Sequence, residues 1–144
     1  MKTRHFIKQL DRKSIEAAIR DAEDGTSGEI CVLISHQPVE NAVAAAQAEF
    51  TRLGMQKTRH RNAVLLFIAP ASRAFAIIGD RGVHAKCGDT FWGEVASVMQ
   101  KYFRDGDYTA ALLKGINRAS SLLAEHFPPQ PDDADELPNQ VIEQ

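Results

Sequence analysis

The stretch RNAVLLFIAPASRAFAIIGDRGVHAKCGDTFW, residues 61–92, decides the fold of this chain. Two apolar runs, Ala63–Ala69 and Ala74–Ile78, are separated by only four residues, which predicts an antiparallel β-hairpin. The polar, glycine-punctuated residues from Asp80 to Asp89 predict a loop that leads into a helix. Because this loop follows a buried strand, it is a place where such a fold could hold a metal or a ligand.

Helices and one further strand are predicted around the hairpin. Apolar residues recur at helical spacing in residues 14–24, 41–54 and 90–104 and between Asp107 and Pro128. The run Ile30–Ile34 is continuous and rich in β-branched residues, as expected of a strand that helices cover on both faces. This order of elements predicts an α/β fold, namely an α/β/α sandwich with a small mixed β-sheet.

The composition is that of one globular domain followed by an acidic tail. The chain has 144 residues, of which 44% are hydrophobic and 25% are charged, as in ordinary soluble domains. We predict a domain over residues 1–127 and a disordered tail over residues 128–144, which contain five acidic residues and no basic one. The net charge of -2 gives no basic field, so nucleic acid is not an expected partner.

The sequence shows neither a secretory signal nor a membrane-spanning segment. The basic N-terminus is not followed by the apolar core of a signal peptide. The longest apolar runs are far shorter than the ~20 residues that cross a bilayer. We therefore expect a cytoplasmic protein without membrane insertion, and a protein partner is left open. Cys31 lies within an apolar run and is expected to pack as a small hydrophobic residue.

Five motifs follow one another along the chain in a recognisable order. They are TSGEI (26–30), RNAVLLFIA (61–69), RAFAIIGDRG (73–82), CGDTFW (87–92) and FRDGDYTAALLKGI (103–116). Together they resemble the TPM domain family, which includes thylakoid-lumen acid-phosphatase-like proteins, photosystem II repair proteins and many bacterial proteins. The likeness covers roughly residues 11–127. It implies an α/β/α sandwich, a divalent-cation site that takes calcium in some members, and a weak phosphatase activity.

The residues from Asp80 to Asp89 are the candidate metal site. Both aspartates offer carboxylate oxygens, and the glycines between them let backbone carbonyls approach a hard cation such as Ca²⁺ or Mg²⁺. Glu29, at a strand end, could add a third carboxylate. In the alternative interpretation, Asp80 stabilises the turn, Asp89 caps the next helix and Glu29 is solvated.

Basic side chains around the same loop are the candidate anion site. Arg59, Arg61 and Arg81, together with Arg73, could gather at one end of the sheet and neutralise a phosphate or an acidic partner. The alternative is a solvated basic loop. No aromatic residues are interleaved with these arginines, as stacking on nucleic acid bases would require.

Two patterns associated with nucleophilic catalysis are incomplete. His84 and Cys87 lie three residues apart, but no second pair completes a zinc site, so a free thiol beside a surface histidine is favoured. The segment DGDYT, residues 105–109, matches the D-x-D-x-T pattern of aspartate-dependent phosphatases. It follows a helix instead of the apolar strand that this chemistry needs, so we interpret it as a turn in which Asp107 caps a helix.

These residues favour a non-enzymatic binding or interaction module over an enzyme. In the first hypothesis, a calcium or magnesium ion organises residues 80–89. In the second, the protein is a weak metal-assisted acid phosphatase, in which Asp80 and Asp89 hold the ion and nearby arginines neutralise the phosphate. In the third, the acidic tail binds a partner protein.

Overall fold

The computed structural model describes residues 1–88, 90–130, 137 and 139–144. In these residues, helices surround one four-stranded sheet. The helices are α1 (Thr3–Lys8), α2 (Arg12–Asp24), α3 (Ala42–Arg52), α4 (Arg81–Cys87), α5 (Thr90–Arg104) and α6 (Tyr108–His126), and the strands are β1 (Glu29–Ile34), β2 (Ala63–Ala69), β3 (Ala74–Gly79) and β4 (Ile142–Glu143). The sheet is small, mixed and open, which confirms the predicted α/β/α sandwich.

The sheet has the strand order β3-β2-β1-β4. Strands β1 and β2 are parallel and are connected through α3, whereas β2 and β3 form the predicted antiparallel hairpin around residues 70–73. Every residue of β1 and β2 is buried, because both faces of the sheet are covered. This burial explains why the runs Ile30–Ile34 and Ala63–Ala69 are continuously apolar instead of alternating with polar residues.

Alternate side chains of the strands enter two hydrophobic cores. Val32 and Leu66 belong to the larger core, which contains buried residues of α2, α5 and α6. Leu33 and Leu65 belong to the smaller core, which α3 completes. Cys31 lies in the smaller core and is 1% exposed, so its predicted packing as a small hydrophobic residue is confirmed.

The segment predicted as a loop between β3 and α5 contains the short helix α4, which is a correction to the sequence analysis. Asp80 is its N-cap, and the helix brings Gly82 against the backbone of the segment that precedes β2. A Cβ atom at Gly82 would lie 2.4 Å from the carbonyl oxygen of Arg61 and 2.6 Å from that of His60. Gly82, which indicated a loop in the sequence, is therefore the residue that lets α4 pack closely against the backbone before β2.

The predicted disordered tail is wrong for residues 139–144. Ile142 and Glu143 form β4, which pairs in parallel with Leu33 and Ile34 of β1. Val141 is 5% exposed and joins the larger core. Burial of these apolar side chains on the sheet outweighs the acidic composition on which the prediction relied. Residues 131–136 and 138 lie outside the described residues, and the domain boundary at residue 127 stays a prediction.

Membrane insertion finds no support among the helices. Within the described ranges, none of them combines the length and the apolar character that crossing a bilayer requires.

Candidate functional site

Asp80 ties the start of α4 to the segment that precedes β2. Its Oδ2 accepts a hydrogen bond from Nε of Arg61 at 2.7 Å, and its Oδ1 accepts one from Nη2 at 3.0 Å. Oδ1 also accepts from the backbone N–H of Arg81 at 2.8 Å. The hydrogen bond to Asp80 raises the pKa of the Arg61 guanidinium. The Asp80 side chain is 6% exposed, and the positive charge of Arg61 balances its negative charge. It therefore joins the start of α4 to the segment before β2.

The described residues fit the predicted cation site poorly. The Arg61 guanidinium contacts both oxygens of Asp80 and would repel a cation there. Glu29 is buried, contrary to the solvated alternative, and begins β1 opposite Ala63. Strand β2 therefore separates Glu29 from Asp80 by two strand spacings, roughly 10 Å between backbones. Asp89 lies outside the described residues. Elsewhere in the described chain, no three His, Cys, Asp or Glu side chains form a group that could hold a metal ion.

The candidate anion-binding arginines lie in different surroundings. Arg61 is engaged with Asp80, whereas Arg59 and Arg81 are exposed near the start of β2 and at the start of α4. Arg73 lies at the other end of the hairpin, after the turn that ends β2. A strand of seven residues spans roughly 20 Å, so the structure does not gather Arg73 with the other three.

The candidate nucleophiles occupy structural positions. Burial raises the pKa of the Cys87 thiol, which disfavours the thiolate that a nucleophile needs. The ring of His84 lies 4.9 Å from that of Trp92, and the Trp92 Nε1–H donates to His84 Nδ1 at 3.4 Å. Asp107 accepts a hydrogen bond from the backbone N–H of Ala110 at 3.3 Å and is the N-cap of α6. The D-x-D-x-T segment is thus the helix–helix turn that the sequence indicated.

A cleft of about 490 Å³ lies beyond the carboxyl end of β2. This volume falls within the range of roughly 300–1,000 Å³ that small-molecule sites occupy. We call it the ring cleft, because its lining contains four aromatic residues and two arginines. These are Phe6, Phe75, Phe103 and Tyr108, with Arg73 and Arg104. The remaining described residues of the lining are apolar or small, apart from Gln100, and none of them contributes a carboxylate, imidazole or thiol side chain.

The four rings come from four different elements and form one cluster. Phe6 of α1 lies 4.9 Å from Tyr108 of α6, and Phe75 of β3 lies 5.0 Å from Phe103 of α5, measured between ring centroids. Phe103 also lies 6.5 Å from Phe6 and 6.4 Å from Tyr108. Phe6 is buried, whereas the other three are half-buried. The cluster therefore supports the fold on one side and offers ring surface to the cleft on the other.

The two arginines of the ring cleft are exposed. Arg73 follows the turn 70–72 with φ 49° and ψ 44°, and Arg104 is the last residue of α5. Neither forms an ion pair with a carboxylate of the described residues. By contrast, Arg12, Arg52 and Arg118 each do.

Sequence reasoning missed the ring cleft. Its residues are distant in the sequence, and each aromatic residue fits an ordinary apolar pattern within its own helix or strand. The only local signal was the pair Phe103-Arg104 directly before the Asp105-Gly106 turn, where an aromatic residue and a cation meet at the end of a helix.

Comparison with known proteins finds similar sequences and structures. A family profile described as the TPM domain matches residues 1–122. The solution structure of the BA42 protein from the psychrophilic bacterium Bizionia argentinensis is 37% identical, with 92% of each chain covered and a TM-score of 0.86. The N-terminal domain of a protein from P. gingivalis is 17% identical over 82% of this chain and 78% of that one, and a TM-score of 0.67 shows the shared fold. No curated protein matches significantly.

Proposed function

This chain belongs to the TPM domain family, and from that premise we propose that it acts as a binding module whose ligand occupies the ring cleft. The observation that carries the proposal is the lining, in which three half-buried rings face a common space with two arginines that form no ion pair with another described residue. The position supports it as well, because open α/β sheets bind ligands beyond the carboxyl ends of their parallel strands. Strand β2, which is parallel to β1, ends at the ring cleft.

The chemistry of the lining favours binding over turnover. Gln100 contributes an amide, Tyr108 a phenol and the two arginines their guanidinium groups. Acid–base and nucleophilic catalysis draw most often on imidazole, carboxylate or thiol groups. The groups that line the ring cleft instead suit recognition of a ligand's shape and charge.

A titration with three matched probes tests this proposal. The isotope-labelled protein is titrated with phenylbutanol, phenylbutyrate and phenylbutylamine, which share a ring and differ in charge, and the backbone amide shifts are followed by NMR. We expect at least one probe to shift the amides of Phe75, Phe103 and Tyr108 saturably. Absence of a saturable shift with all three probes would refute the ring cleft as a ligand site.

A pair of matched variants separates ligand binding from stability. Phe103→Leu removes a ring from the cleft, whereas Phe50→Leu removes a ring from the smaller core on the opposite face of the sheet. Both changes lower stability, but only Phe103→Leu should weaken probe binding. Equal weakening by the two variants would mean that the probe senses the general stability of the fold.

The calcium or magnesium ion predicted for residues 80–89 stays a prediction, and a thermal melt with added cation tests it. Asp89→Asn is the cleaner variant, because Asp80 is needed by Arg61. A specific site with cation at about a hundred times its dissociation constant would add about 2.7 kcal/mol to the free energy of unfolding. A rise in Tm in the parent that Asp89→Asn abolishes would support the ion. Metal-dependent release of phosphate from a phosphomonoester would support the phosphatase alternative.

A further inference from the structure

We propose that the natural ligand of the ring cleft is a small organic anion that carries an aromatic or other apolar group. Arg73 and Arg104 bind its carboxylate or other acidic group, and the half-buried rings of Phe75, Phe103 and Tyr108 bind its apolar group. This inference rests on the proposed function and adds the charge and chemical class of the ligand.

The charge of the cleft is the first argument. Arg73 and Arg104 enter the lining from the hairpin turn and from the end of α5, and none of the described lining residues is acidic. Asp105 and Asp107 flank the lining residue Gly106, but both are exposed and neither belongs to the lining. A guanidinium group matches a carboxylate or a phosphate in geometry and binds it through paired hydrogen bonds.

The rings are the second argument, because they exclude a simple inorganic anion as the best ligand. Phosphate or sulfate alone would use the arginines and leave the ring surfaces of Phe75 and Phe103 in water. A ligand with an apolar group covers these rings and gains the free energy of burying apolar surface. Offset and tilted ring contacts, like those within the cluster itself, add further stabilisation.

A cationic ligand is the competing interpretation of an aromatic cluster. Ring faces attract ammonium groups, and aromatic cages bind quaternary amines in this way. Here the same cleft presents two guanidinium groups, which would repel a cation. The observed charge therefore favours the anion.

Calorimetric titration of the same protein tests the ligand class. Phenylbutyrate, phenylbutanol and phenylbutylamine vary the charge at a constant ring, and butyrate keeps the charge without the ring. We expect phenylbutyrate to bind at least about tenfold more tightly than each of the other three, as one or two charge-assisted hydrogen bonds would give. Its affinity should fall as the NaCl concentration rises.

Substitution of the two arginines locates the anion. Arg73→Gln and Arg104→Gln should each weaken phenylbutyrate binding about tenfold, and the double variant about a hundredfold. Arg20→Gln is the matched control, because Arg20 is an exposed arginine of α2 outside the lining. It should leave the affinity unchanged.

The outcomes separate this inference from the proposed function. If phenylbutanol or phenylbutylamine binds the ring cleft as tightly as phenylbutyrate, the anionic ligand is wrong and the binding module stands. If butyrate alone binds as tightly, the apolar group plays no part and the inference is wrong. If no probe shifts the residues of the ring cleft, the proposed function itself fails.

Discussion

Arg73 has a left-handed backbone conformation, with φ 49° and ψ 44°, although it carries a side chain. This conformation costs an L-residue roughly 1–2 kcal/mol that glycine avoids, while glycine adds freedom to the unfolded chain. We expect Arg73→Gly to raise the free energy of unfolding by up to about 1 kcal/mol in urea, and Arg73→Gln to leave it unchanged. Both should weaken phenylbutyrate binding. A loss of stability in Arg73→Gly would instead mean that the side chain supports the turn.

Asp80 both caps α4 and binds Arg61, and its two functions can be separated by substitution. Asparagine keeps an acceptor for the helix and loses the charge, whereas alanine loses both. We expect Asp80→Ala to lower the free energy of unfolding more than Asp80→Asn, with about 1 kcal/mol of the loss due to the cap. Thermal or urea unfolding of the three proteins measures the difference.

Asp107 provides the matched control for this experiment. It caps α6 through the N–H of Ala110 and forms no ion pair with the described residues. Asp107→Asn should therefore stay close to the parent in stability. If Asp80→Asn and Asp107→Asn are equally close in stability to the parent protein, the ion pair between Asp80 and Arg61 contributes no measurable free energy.

At the residue scale, the sequence identified side chains better than it identified their partners. Asp80 was recognised as a carboxylate at a strand end, but the arginine that neutralises it lies 19 residues earlier. Phe6 and Tyr108 meet with ring centroids 4.9 Å apart although they lie on the first and last helices. Such contacts depend on how elements pack against one another, and periodicity within an element carries no information about that.

At the scale of elements, the helices α5 and α6 form the most extensive contact between any two described elements, and Gly115 of α6 makes their close approach possible. A Cβ atom at Gly115 would lie 2.5 Å from the sulfur of Met99, which is fully buried. Gly115→Ala should therefore lower the free energy of unfolding by about 1–3 kcal/mol, as overpacked cores do. Chemical unfolding of Gly115→Ala, of Met99→Ala and of the double variant measures the coupling between the two residues. We expect the double variant to lose less free energy of unfolding than the sum of the two single losses.

Gly93, which lies in α5, is the control for Gly115, which lies in α6. It is exposed, and a Cβ atom there would meet nothing within 4 Å. Gly93→Ala should raise stability by up to about 1 kcal/mol, because alanine is the better helix former. A neutral or stabilising Gly115→Ala would show that Met99 has room to move and would contradict the tight contact.

Long, strongly patterned elements were predictable, and short ones were not. The bounds of β2 and of α5 agree with the sequence prediction, since each is a sustained apolar pattern between clear breaks. Helix α4 was missed because it has only seven residues and contains a glycine. Strand β4 was missed because its two residues form a strand only by pairing with β1, and local sequence cannot reveal that.

At the scale of the whole molecule, the strand β4 joins the end of the described chain to its beginning. The Arg12 Nη1 donates to Oε2 of Glu143 at 2.9 Å, and its Nη2 donates to the carbonyl oxygen of Val141 at 2.9 Å. The Val141 N–H donates to Oε2 of Glu16 at 2.9 Å. A ring nitrogen of His36, which follows β1, lies 3.0 Å from the other oxygen of Glu143. These contacts join residues that are far apart in the sequence, so β4 belongs to the same folded unit as α2 and β1.

The pH dependence of stability tests whether Glu143 holds this edge through its charge. Its hydrogen bonds, with His36 first and Arg12 next, lower the pKa of Glu143. A carboxyl whose pKa is lower in the folded state contributes stability above its unfolded pKa of about 4.3 and loses it as the pH falls through the folded pKa. Glu143→Gln should therefore lower the free energy of unfolding by up to about 1 kcal/mol at neutral pH, which is the most that an exposed ion pair contributes. In acid, where the carboxyl of the parent is protonated, the two proteins should have the same stability. Glu40→Gln is the control, because Glu40 is exposed and forms no ion pair with the described residues. It should leave the free energy of unfolding unchanged at both pH values. A deficit of Glu143→Gln that persists in acid would mean that the shape of the side chain, not its charge, holds β4.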